Sequence, residues 1–161
     1  ENLLAAALTA DGARKPFALI AFSDEESDSD SASEHWLKLA KVSQRYGMPC
    51  AQATDRQNLE RLVAQLATQH SVLIDTCAEQ LEDIQALTSS LKANIHCCIG
   101  ADFSANTVSS YQGTNNALLQ STIITRADLG VDMSPLFTAL SHAQAQIVAV
   151  STDMTAQPEA E

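Results

Sequence analysis

The sequence predicts an α/β fold, a three-layer arrangement of a mostly parallel sheet with helices on both faces. Two observations carry that expectation. Unbroken apolar runs of strand length, such as Phe17-Ala18-Leu19-Ile20-Ala21-Phe22 and Val72-Leu73-Ile74, have the composition of strands buried on both faces. Between them lie segments with apolar residues at helical spacing, and strands alternating with helices make βαβ units. A chain of 161 residues, 45% of them hydrophobic, suffices for one core-forming domain. That domain is assigned to residues 1–155, followed by a polar tail over 156–161.

The elements follow in order. Leu3 to Ala10 reads as the end of a helix stopped by Asp11-Gly12, and Phe17 to Phe22 as the first strand. The acidic, serine-rich stretch from Ser23 to Ser33 has self-repelling charges and reads as a solvated loop. A helix over Glu34 to Tyr46 places Trp36, Leu37, Leu39, Ala40 and Val42 on an apolar stripe and ends at Gly47. Met48 to Ala51 is a short strand; Thr54-Asp55 caps a helix carrying Leu59, Leu62, Val63 and Leu66. Ser71 to Asp75 is a strand, Gln80 to Leu91 a helix and Asn94 to Ile99 a strand. A helix is expected over Ser104 to Leu118, then a strand over Ser121 to Thr125. Ser134 is the expected cap of a helix that begins with Pro135 and runs to His142, and Ile147 to Val150 closes the series.

Charge and glycine content narrow the function. Nine Lys and Arg against 20 Asp and Glu give a net charge of −11, which argues against nucleic acid and against an anionic membrane surface. Only 5 glycines are present, where average usage of about 7% would supply about 11. The nearest two, Gly100 and Gly113, are too far apart to form a glycine-rich phosphate cradle. No apolar run is long enough for a membrane span, so no direct membrane insertion is expected. Glu1-Asn2-Leu3-Leu4 lacks a basic leader, and the missing initiator Met suggests a piece of a longer chain. Cys50, Cys77, Cys97 and Cys98 form no C-x-x-C pair and read as reduced core thiols of a cytoplasmic protein. His35, His70, His96 and His142 have no metal-ligand spacing and read as ordinary surface or strand-edge residues.

Chemistry in an open parallel sheet collects at the carboxyl ends of its strands. Those ends carry Ser23-Asp24-Glu25-Glu26, Asp75-Thr76-Cys77-Ala78, Gly100-Ala101-Asp102, Thr125-Arg126-Ala127-Asp128 and Ser151-Thr152-Asp153-Met154. Acids there serve either as oxygen ligands for Mg²⁺ or, the favoured reading, as helix caps and first-turn charges.

Two of these ends carry a resemblance. Val72-Leu73-Ile74-Asp75-Thr76 followed later by Ile123-Ile124-Thr125-Arg126-Ala127-Asp128 resembles the signal-recognition-particle family of GTPases, closest to its flagellar branch. There a strand ending in Asp-Thr-Ala-Gly precedes one ending in Thr-Lys-x-Asp. Phe17 to Asp24 resembles the strand before that family's switch segment, Tyr46-Gly47-Met48-Pro49 its Leu-Gly-Val-Pro, and Ile99 to Asn106 its Ser-Ala-Thr strand end. Val150 to Pro158 is similar to its closing segment. The resemblance implies that Asp24, Asp75, Thr76, Thr125, Arg126 and Asp128 stand at nucleotide-site positions, with Asp128 where the family grips guanine.

The departures from the family fall at the same positions. No P-loop is present, so phosphoryl transfer has no foundation. The switch arginine expected after Asp24 is replaced by acidic residues, the glycine after Cys77 by Ala78, and the lysine by Arg126. The expectation is therefore a catalytically inactive GTPase-like module that binds proteins and holds no cofactor and no metal. Its setting would be assembly or polar placement of a bacterial surface machine such as a flagellum or pilus. Its partner would be a GTPase or ATPase of the same assembly system. The alternatives are a fragment of an active GTPase, using GTP and Mg²⁺ with an upstream P-loop, and a receiver-like domain with Asp75 in its acidic pocket.

Overall fold

The computed structural model describes residues 15–23, 29–76, 81–108 and 121–152. The chain divides into two compact units, Gly12–Ala93 and Asn94–Glu161, the second also taking in Glu1–Asp11. Each unit has a three-stranded, wholly parallel sheet. The fold is α/β.

In the first unit β1 (Phe17–Phe22) lies between β2 (Cys50–Ala53) and β3 (Ser71–Thr76). All six residues of β1 pair with β3, from Phe17 opposite Ser71 to Phe22 opposite Thr76. Helix α1 (Ser29–Tyr46) connects β1 to β2, α2 (Arg56–Leu66) connects β2 to β3, and α3 (Leu81–Leu91) follows β3. The two crossovers run in opposite directions along the sheet, so right-handed connection puts α1 and α2 on opposite faces. The packing agrees. Ile20 and Phe22 form one core with Ala53, Leu59 and Leu87, against which Leu62, Val63, Leu66 and Leu91 pack. Leu39 and Val42 of α1 are buried outside that cluster, as are Leu19 and Ala21 on the other face of β1. This sheet is covered on both sides, as its unbroken apolar strand predicts.

In the second unit β5 (Thr122–Thr125) lies between β4 (Cys97–Gly100) and β6 (Ile147–Val150). The path from β4 to β5 to β6 never reverses. Helical backbone at residues 105–108 and helix α4 (Ser134–His142) both contribute to one core, in which Val108, Leu136 and Leu140 meet Ile99 and Ile124. A 3-10 turn, Ala127–Leu129, links β5 towards α4.

Local chemistry sets the element ends. Asp55 caps α2, its Oδ1 accepting the Asn58 N–H at 2.7 Å, as expected. Gly47 stops α1 with φ +64°, a conformation in which other residues clash with their own Cβ. Other boundaries differ from the sequence expectation. Helix α1 begins at Ser29, so the end of the acidic stretch is helical; carboxylates are favourable near a helix N-terminus. Strand β2 begins at Cys50 because Pro49 has no N–H to donate, although its carbonyl accepts from Leu19 at 2.9 Å. Strand β4 begins at Cys97, where the ladder to Thr122 starts.

The α4 cap is also corrected: Met133 stands at the cap position with no side-chain capping bond, and Ser134 is the first helical residue, its N–H donating to Asp132 Oδ1 at 3.0 Å. Trp36 is half-buried and Leu37 exposed, so the buried stripe of α1 is narrower than its periodicity suggests. The expected helix at Leu3–Ala10, residues 109–118 of the helix from Ser104, and the polar tail lie outside the described residues.

Candidate functional site

In the first unit the carboxyl ends of β1 and β3 form the topological switch point. The chain leaving β1 turns to the α1 face, and α3, which follows β3, packs in the core on the opposite face. Ligand crevices of open α/β sheets form at such places. Ser23 is buried just past β1, its N–H donating to the Ala53 carbonyl at 3.1 Å. At the end of β3, Asp75 and Thr76 stand beside it in register with Ala21 and Phe22. Asp24, which the sequence assigns to this site, lies outside the described residues, as do Cys77 and Ala78.

The structure adds a residue that the sequence reading set aside. His35, in α1, donates from Nε2 to Asp75 Oδ2 at 2.9 Å. Its side chain is 19% exposed, against 57% for the carboxylate it engages. The histidine expected to be an ordinary surface or strand-edge residue thus bridges α1 and the end of β3. Forty residues separate the pair, so no local spacing could have signalled it. The crossover over the sheet brings them together.

In the second unit the other candidate positions meet at the ends of β4 and β5. Thr125 donates its hydroxyl to the Ile99 carbonyl at 3.4 Å, and its own carbonyl accepts the Ala101 N–H at 2.8 Å. Arg126 takes a left-handed conformation, φ 58° and ψ 35°, which turns the chain out of the strand. Its guanidinium reaches Asp102 at 2.6 Å. A Cβ placed on Gly100 would collide with that guanidinium and with the Asp102 carboxylate, so the ion pair lies across the glycine. The Ala127 N–H donates to the Ser151 carbonyl at 3.1 Å, tying the turn that carries Asp128 to the end of β6.

The structure therefore groups Thr125, Arg126 and Asp128 in one unit, and Asp75 and Thr76 in the other. Asp102 and Gly100, noted only as strand-end residues, are drawn into the Arg126 contact; the signal for them was their place after β4. No cluster of three or more metal-ligating side chains occurs among the described residues.

The described cysteines are free thiols. Cys97 is half-buried, and burial pushes its thiol above the usual range. Burial does the same to Cys50, opposed by smaller hydrogen-bond contributions from Ser43 and Ala51. Cys98 corrects the expectation of core packing: it is exposed, because successive strand residues face opposite sides and, among the described residues, β4 has a neighbouring strand on one edge only.

Neither a known protein family nor a curated protein matches this chain. Among the described residues, no helix is long and apolar enough to cross a membrane.

Proposed function

We propose that this chain is a catalytically inactive, GTPase-like module that binds other proteins, placed in the assembly or polar positioning of a bacterial surface machine such as a flagellum or pilus. The observation that carries the reading is the ion pair lying across Gly100. The position where the resembling family has a lysine holds Arg126, and its charge is engaged by the chain's own Asp102. An arginine so held presents its charge to a carboxylate and not to a nucleotide.

The His35 contact of Asp75 supports the same reading, since a second nucleotide-site position is engaged from within the chain. With a net charge of −11 the module repels a triphosphate and attracts basic protein surfaces. In this reading the partner is a GTPase or ATPase of the same system, and the module reaches the pole or the inner membrane through that partner.

Calorimetry of the purified chain with GTP and with GDP in Mg²⁺ buffer tests the proposal. No binding heat is expected with either. GTP hydrolysis abolished by Asp128→Ala would overturn it.

A further inference from the structure

The two sheets have four outer strands, and these differ in how they meet solvent. On β3 the run Val72-Leu73-Ile74 is half-buried and followed by exposed Asp75; β2 is buried or half-buried throughout. On β4 only Cys98 is exposed. Strand β6 is different. It pairs with β5 on one side and with no strand on the other among the described residues. Its sequence is Ile-Val-Ala-Val, with Ile147, Val148 and Val150 exposed at 37%, 48% and 55%. Exposed edges are ordinarily blunted by lysine, proline or inward charge, and β6 carries none of these.

The surroundings of that edge are acidic and apolar. Ala127, bonded to Ser151 at the end of β6, begins the stretch Asp128-Leu129-Gly130-Val131-Asp132, in which Leu129 and Val131 are exposed. Between Asn94 and Glu161 the sequence has six carboxylate side chains and a single Lys or Arg, Arg126, which Asp102 already engages. The Asp132 carboxyl is held below the usual carboxylate range by hydrogen bonds from Ser134, first from its side chain and then from its backbone N–H, so it is anionic at neutral pH.

From this we infer that the free edge of β6 accepts an extended segment of a partner protein, an apolar β-strand flanked by lysine or arginine, which adds to the sheet beside Ile147–Val150. Strand addition takes its affinity from main-chain hydrogen bonds and its specificity from the flanking side chains. Valine and isoleucine favour that backbone, and the carboxylates after β5 select basic flanks. A second copy of this chain is disfavoured as occupant, because each copy brings a net charge of −11, and Arg126 is the single Lys or Arg in the sequence from Asn94 to Glu161. The inference rests on the reading of the chain as a protein-binding module and names the chemistry of its partner.

The test uses the whole chain and a short synthetic peptide alternating threonine and valine between paired lysines. A counterpart carries paired glutamates. Backbone NMR is expected to show the lysine peptide shifting amides of Ile147–Ser151 and Ala127–Asp132, with the glutamate peptide about tenfold weaker or worse. Val148→Lys, at an exposed position, is expected to abolish binding while circular dichroism stays unchanged; Cys98→Lys, on the opposite edge, is expected to leave it intact.

Equal binding of the two peptides, shifts centred on another strand, or no binding tighter than about 1 mM would each overturn the inference. So would self-association of the peptide-free chain in sedimentation that Val148→Lys removes. Nucleotide calorimetry is read separately, so failure of the pseudo-GTPase reading and failure of the edge are distinguishable.

Discussion

The two units use the same parts to different ends. Gly12–Ala93 winds its chain both ways along the sheet, covers both faces and so creates a switch point, where His35 meets Asp75. Asn94–Glu161 winds one way only and gathers helix residues on the face of Ile99 and Ile124, leaving β6 at the margin with its valines exposed. Direction of winding thus separates a unit with a switch point from a unit without one. The first kind of geometry is where ligand crevices of open α/β sheets form; the second leaves the apolar residues of its outer strand exposed.

The largest effects come from the two cores. Ile20 and Ile124 are fully buried at the centre of the respective sheets. Ile20→Ala and Ile124→Ala are each expected to cost about 2–5 kcal/mol in urea denaturation, through lost burial and the cavity left behind. The single tryptophan, Trp36, sits on α1, so its fluorescence reports the Ile20 substitution directly. A cost below about 1 kcal/mol at either site would mean that the corresponding sheet is not the centre of its unit.

Helix caps sharpen the contrast. Removing the Asp55 side chain as Asp55→Ala leaves the Asn58 N–H without its partner and is expected to lower stability by about 1 kcal/mol. The His35–Asp75 pair is weaker because its carboxylate is largely exposed. A double-mutant cycle with His35→Gln and Asp75→Asn is expected to give a coupling below about 1 kcal/mol, reduced further by salt. Additivity of the two substitutions at low salt would show that His35 and Asp75 do not interact.

The smallest effect belongs to Asp132, which is wholly solvated. Its carboxyl is depressed by the Ser134 bonds, so its stabilisation is present above the ordinary carboxylate range and is lost as pH falls through the lowered value. The stability difference between wild type and Asp132→Asn should therefore disappear in strong acid. A difference that persists there would assign the effect to something other than the carboxylate.

Much of the fold was legible because it depends on local patterns. The run Phe17–Phe22 reads as a strand buried on both faces and is one, and the structure sets it between β2 and β3. The Asp55 cap and the Gly47 stop follow from backbone N–H groups and Cβ sterics within a few residues. Boundaries slipped where two local rules competed. The repelling charges of the acidic stretch favour a loop over Ser29–Ser33, yet a helix N-terminus welcomes carboxylates, and α1 extends through it. A cysteine in an apolar strand reads as core, as Cys98 does, but burial of one face depends on what covers it.

The candidate site was legible in part. Asp75 and Thr125 follow apolar runs in the sequence and lie at the ends of β3 and β5, and Arg126 and Asp128 lie in the turn just after β5. Their partners were not legible, since His35 and Asp102 come from other segments of the chain. By itself the sequence determined the α/β alternation, the acidic balance and the residues that follow each strand, because periodicity, charge and capping act over a few residues. Tertiary structure decided that the strands form two sheets, that Asp75 meets an imidazole, and that β6, among the described residues, pairs with a strand on one side only. Those outcomes depend on strand order and crossover direction, which bring distant segments together and leave no trace in local spacing.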